Sequence, residues 1–97
     1  MVIITHVIYP SEGAQSMAKR FIDAPELPDF MTKKGPYVTS NLEGILLTSL
    51  YELENERLAD GFKFLGDYMA IYFGVPGFSF EIIPYFEIKE GLSMIGM

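Results

Sequence analysis

A chain of 97 residues, 49% hydrophobic, can build one core and leaves no length for a separate catalytic module, so residues 1–97 are expected to form a single domain. Seven basic against thirteen acidic residues give a formal charge of −6; this repels a phosphate backbone, and neither nucleic acid nor a membrane is an expected partner. With no cysteine and a single histidine, there is no disulfide, no thiolate nucleophile and no His-rich metal site within a protomer, and neither a metal nor an organic cofactor is expected.

Met1 to His6 shows neither a basic start nor a small-residue cleavage site, so no secretory signal is expected and the simplest compartment is the cytoplasm. The longest uncharged run, Tyr68 to Phe80, falls short of the roughly 20 residues a spanning helix needs and is broken at Pro76-Gly77.

Val2 to Tyr9 is a nearly continuous apolar, β-branched run interrupted by Thr5 and His6, the pattern of a central strand covered on both faces. Pro10-Ser11 ends it, and Ser11 is placed to cap a helix whose apolar positions Ala14, Met17, Ala18, Phe21 and Ile22 follow at helical spacing. That helix should end near Ala24, because Pro25 disfavours helical geometry in the residue before it. Residues 24–35 carry prolines without lasting periodicity and read as a loop. Tyr37 to Asn41 then reads as a short strand, joined through a Leu42-Glu43-Gly44 turn to a stronger one, Ile45 to Leu53. Both parities of this second strand are largely apolar, so it too is expected to be central.

Glu54-Asn55-Glu56 offers a cap and acidic side chains to the start of a long helix. Leu58, Phe62, Leu65, Met69, Tyr72 and Phe73 make one apolar stripe of it, and Phe64, Tyr68, Ile71 and Val75 a second; Glu56, Asp60, Lys63 and Asp67 make a wet side with Gly66, Ala70 and Gly74. Glycines at 61, 66 and 74 each weaken a helix interior by about 1 kcal/mol relative to alanine. Packing must therefore hold this helix, and close approach to another backbone would account for the glycines. After Val75-Pro76-Gly77, Ser79 to Lys89 reads as the last strand, followed by an apolar tail, Leu92 to Met97, that either frays or joins a contact.

The order strand, helix, strand, strand, helix, strand is the ferredoxin-like βαββαβ pattern of an α+β domain: a four-stranded antiparallel sheet with two helices on one face. The first and third strands then lie centrally and the second and fourth at the edges, where Pro36 and Pro84 are tolerated. Two helices cover one sheet face only, yet the central strands are apolar on both, so the open face is expected to be buried in a symmetric homodimer. This order, with a first strand ending in Tyr9-Pro10 and a helix carrying Lys19-Arg20-Phe21, resembles small members of the dimeric α/β-barrel superfamily. The resemblance implies two protomers packing open sheet faces around a small cavity. That superfamily includes cofactor-independent monooxygenases, haem-dependent enzymes, isomerases and ligand-sensing domains, so it implies an architecture and leaves the reaction open. Tryptophan is absent, and the Asn, Trp and His set of haem-degrading members is not present as a set.

His6 is the one side chain with an ordinary pKa near neutrality, and it reads either as a general base or orienting donor in that cavity or as a histidine packed within the sheet. Tyr9, Tyr37, Tyr51 and Tyr85 lie on strands, where their phenols would line a pocket or pack at edges and interfaces. Glu52, Glu81 and Glu87 fit a solvated rim better than an acid–base pair. Ligand binding is expected between the sheet and the Asp23–Pro36 loop, with Phe30 and Met31 closing over an apolar ligand and Lys33 and Lys34 meeting its carboxylate. The expected function is a small-ligand-binding or sensor domain acting as a homodimer; the alternative is a cofactor-independent, monooxygenase- or isomerase-like enzyme for a small hydrophobic or aromatic substrate. His6 facing the helices would count against the enzyme.

Overall fold

The computed structural model describes all 97 residues. Four strands, β1 (Val2–Tyr9), β2 (Thr32–Asn41), β3 (Gly44–Glu52) and β4 (Ser79–Tyr85), and three helices, α1 (Ala14–Phe21), α2 (Leu58–Ala70) and α3 (Ile88–Met94), form an α+β domain. The sheet is open and antiparallel throughout, in the order β2-β3-β1-β4. The two strands read as central are central, and Pro36 and Pro84 fall on edge strands.

Strand alternation sorts the residues of the central pair. Ile3, Thr5 and Val7 of β1 pair with Tyr51, Ser49 and Leu47 of β3 and point to the side that α1 and α2 cover; all but Leu47 are buried. One cluster, around Ile3, Met31, Tyr51, Leu53 and Leu65, fills one end of this layer, and another, around Val7, Met17, Met69, Tyr72 and Val75, fills the other. The intervening positions Ile4, His6 and Ile8, paired with Leu50, Thr48 and Leu46, face the opposite side and are only half-buried. A short axis of 19 Å leaves room for one sheet and one helix layer, each about 10 Å thick, and for nothing on that opposite side.

Several boundaries differ from the sequence reading. Strand β2 begins at Thr32, inside the expected loop: Gly35-Pro36 is absorbed as a bulge between Lys34 and Tyr37, with a cis Gly35–Pro36 bond, because an edge strand can lose a ladder bond there. The expected last strand stops at Tyr85, and Ile88–Met94 forms a third helix beyond the βαββαβ order. Neither Ser11 nor Asn55 caps a helix through its side chain; each opens a 3-10 turn instead, and the Asn55 amide donates to Glu90 of α3. Phe62 and Phe73 lie exposed at the margin of the α2 stripe. The buried line is Gly61, Leu65 and Met69, continuing through Tyr72.

The α2 glycines have different reasons. At Gly61 a Cβ would come within 2.6 Å of a Leu53 methyl, so the close approach is to side chains of the sheet layer. Gly74, at φ 95°, reverses the chain after α2, and Gly66 meets nothing. Arg20 of α1 fastens this reversal: its guanidinium donates to the carbonyls of Ile71 at 3.0 Å and Phe73 at 2.6 Å, placing positive charge where the helix leaves carbonyls unpaired.

Candidate functional site on the open sheet face

The antiparallel register aligns Tyr37 of β2 with Thr48 of β3, Thr48 with His6 of β1, and His6 with Glu81 of β4. Cross-strand partners point to the same side, so these four side chains form one polar row across the open face. On one flank lies the apolar row Leu50, Ile4 and Ile83, and on the other Leu46 and Ile8. Imidazole Nδ1 of His6 lies 3.1 Å from the Thr48 hydroxyl. Thr48 thereby orients the ring and leaves Nε2 free toward the open side. His6, Ile8, Leu46 and Glu81 line a shallow concavity there, rimmed by Asn41 and Glu43 of the β2–β3 turn. Asn41 shapes that rim by accepting from the amides of Glu43 at 2.8 Å and Gly44 at 3.2 Å.

His6 therefore does not face the helices. It has a second polar side chain within hydrogen-bond reach, in a hollow that the protomer alone leaves open to solvent. Glu81, read from sequence as a rim residue, is its direct neighbour on β4. The signal lay in the register: an antiparallel pairing that aligns Ile3 with Pro84 necessarily aligns His6 with Glu81, three steps on along β1.

The other candidate residues separate between the two sides of the sheet. Tyr37 and Tyr85 sit on the open face, exposed, at opposite edge strands. Lys34 is on that face too, where it is paired with Glu52 at 3.0 Å rather than turned toward a loop. Tyr9, Tyr51 and Lys33 are on the helix side. Lys33 is half-buried, its ammonium 5.5 Å from the Tyr51 ring centre and 5.6 Å from that of Tyr68, and burial lowers its pKa from the ordinary lysine value. Burial, reinforced by the neighbouring Tyr68, raises the Tyr51 hydroxyl to about 12. Tyr68 and Tyr72, with hydroxyls 3.3 Å apart, are raised as well, first by burial. Met31 is a core residue, not part of a lid. Phe30 packs against that core with its ring 3.9 Å from the Arg57 guanidinium, so the residues over the cleft between sheet and loop are Ala24, Pro25 and Leu27 instead.

No three potential metal-ligating side chains gather at any point, and no helix is long and apolar enough to cross a membrane. Fold and site together define a small α+β domain with one covered sheet face and one open face carrying a histidine-centred polar row. Compared with known proteins, the chain matches no family model and no curated protein.

Proposed function

We infer that this protein is a ferredoxin-like member of the dimeric α/β-barrel type, and that two copies stack their open sheet faces to form a chamber that binds a small molecule. The observation that carries this reading is the polar row Tyr37, Thr48, His6 and Glu81 between apolar rows on a face that no element of the chain covers. Ile4, Ile8, Leu46, Leu50 and Ile83 on that face supply contact area without a partner of their own in the protomer. The α3 segment adds more: Ile88, Met94 and Ile95 are each 70% exposed or more, an apolar surface that a second copy would cover, and methionine adapts to such a contact. In the stacked pair His6 and Tyr37 donate or accept at the ligand's polar atoms while the flanking aliphatic rows hold its body. The chain works as a binding or sensor domain in this reading.

A cofactor-independent enzyme is the second reading, favoured by the His6–Thr48 contact with Glu81 alongside. Thr48 fixes the imidazole, Nε2 takes a proton from a small hydrophobic or aromatic substrate, and Glu81 stabilises the imidazolium that results. Sedimentation tests both at once: a dimer at micromolar concentration is expected, with total buried area of about 1,200 Å² or more. A monomer ends the shared premise. His6→Ala then separates the two, since loss of turnover with ligand still bound is expected of the enzyme and not of the sensor.

A further inference from the structure

On the helix side of the sheet, across from His6, two hollows lie side by side beneath the segment joining α1 to β2. The inner one, of about 40 Å³, is floored by Thr5 and Ser49 and walled by Tyr51, Tyr72 and Met69. The outer one, of about 250 Å³, is bounded by Ala24, Pro25, Leu27 and Phe64. Phe21, Lys33, Tyr51 and Tyr68 line both, so the two hollows adjoin along one cleft at these four side chains.

Three features of this cleft offer polar groups to a ligand. Thr5 and Ser49 are the two buried polar residues of the chain, adjacent across β1 and β3, and their hydroxyls meet that of Tyr51, so the inner end of the cleft is polar. Lys33 is half-buried, and the Tyr51 and Tyr68 rings offset part of its desolvation; an anion would offset more. Yet none of the thirteen acidic side chains reaches it: the ion pairs are Lys34–Glu52, Arg57–Asp60 and Lys63–Asp67. The hydroxyls of Tyr68 and Tyr72 meet each other, and two hydroxyls in mutual contact retain one proton for a further acceptor.

The geometry points to this cleft as a binding site for a small monocarboxylate with a flat apolar body. Its carboxylate is held by the Lys33 ammonium and the Tyr68–Tyr72 hydroxyls, and its ring lies between Phe21, Leu27 and Phe64. The inner hollow, about 40 Å³ against the roughly 150 Å³ of a cavity that takes a benzene ring, has room for a carboxylate and excludes the ring. A single unpaired cation matches a single negative charge; a phosphate dianion would find no second one. Because the cleft lies on the covered side of the sheet and is complete within one protomer, it depends neither on the dimer nor on His6.

The test is an amide-resolved NMR titration of the full chain with benzoate, and with benzamide as its neutral counterpart of the same shape. Saturable shifts at Ala24, Leu27, Lys33 and Phe64 are expected, with a Kd of about 1 mM or tighter and benzamide weaker by roughly tenfold or more. Lys33→Met should weaken benzoate by roughly tenfold while Lys33→Arg, which keeps the charge, retains it, and Lys63→Met, which removes an exposed charge outside the cleft, should leave benzoate affinity unchanged. Should Lys33→Met fail to fold, the ratio of benzoate to benzamide on the unaltered protein decides alone. No saturable shift below about 10 mM benzoate, equal affinity for benzamide, an unaffected folded Lys33→Met variant, or shifts centred on His6 and Glu81 would each overturn the assignment.

Discussion

The two faces of this sheet are built from the same strands, one residue out of step, and differ in what covers them. Ile3 is fully buried and Thr5 and Val7 nearly so, whereas Ile4, His6 and Ile8 beside them are half-buried. Backbone propensity is the same along β1, so the difference is entirely one of cover. An apolar parity covered by the chain's own helices reports on folding; the one left uncovered is where the proposed association is tested. Leu65 stands at the centre of the covered side, so Leu65→Ala should cost about 3 kcal/mol and lower the melting temperature by more than roughly 10 °C, read by urea and thermal unfolding. On the open side Ile4→Lys should leave the protomer within about 1 kcal/mol of its original stability. The same change should weaken self-association by roughly a hundredfold or more, about 3 kcal/mol, read by sedimentation. If Ile4→Lys unfolds the protomer as Leu65→Ala does, the open face is a core and the contrast fails.

Two smaller effects sharpen the covered side. Arg20→Met removes a cation that bonds two carbonyls at the end of α2; a loss of about 1–2 kcal/mol in urea unfolding is expected, and none if water replaces those bonds. The tyrosines beside Lys33 set the alkaline limit. Tyr51 is raised to about 12 and Tyr68 and Tyr72 are raised with it, so the folded chain holds protons that the unfolded chain has released. Stability from these groups is fully present below the ordinary tyrosine value near 10 and falls as pH rises from there through the folded values. Lys33, with its pKa lowered, acts the other way, since the unfolded chain binds the extra proton between the lowered value and 10.5; it is one group against three. Melting temperature should therefore drop above about pH 10, with a shallower fall in Tyr51→Phe, and absorbance at the tyrosinate band should rise later than for exposed tyrosine.

How much of this was legible in the sequence follows from how local each signal is. The centrality of β1 and β3 was readable because both parities of each strand are apolar, and the edge positions because prolines are excluded elsewhere. The α3 helix is hidden in the sequence because Phe86, Ile88 and Lys89 continue the alternation of β4, and nothing local says that pairing stops at Tyr85. The start of β2 is hidden because Gly35-Pro36 looks like the end of a loop until a neighbouring strand is there to bracket it as a bulge. His6 was legible as a candidate, but its row was not: Thr48 and Glu81 are its neighbours only through register, a long-range property. The Lys33 cleft was half visible, as a charge near a long connection, while Tyr68 and Tyr72 were read as helix packing and Thr5 as an interruption of a strand.

The smallest expected effect concerns the one ion pair on the open face. Lys34 and Glu52 lie 3.0 Å apart with side chains 59% and 48% exposed, so water screens them and holding two long side chains together costs entropy. A double-mutant cycle with Lys34→Gln and Glu52→Gln, made in the monomeric Ile4→Lys background, should give a coupling below about 0.5 kcal/mol that fades further in high salt. In the proposed dimer the same pair would border the contact at Leu50, which β2 and β3 align with Lys34. A second face stacked over it would remove water from one side, and the coupling should then rise above its value in the monomer. Equal couplings in the two backgrounds would place the pair outside the contact, and move the boundary of any interface inward to the β1–β4 side of the sheet. A coupling above about 1 kcal/mol in the monomer would mean that this face is dry without a partner, which its half-buried rows contradict.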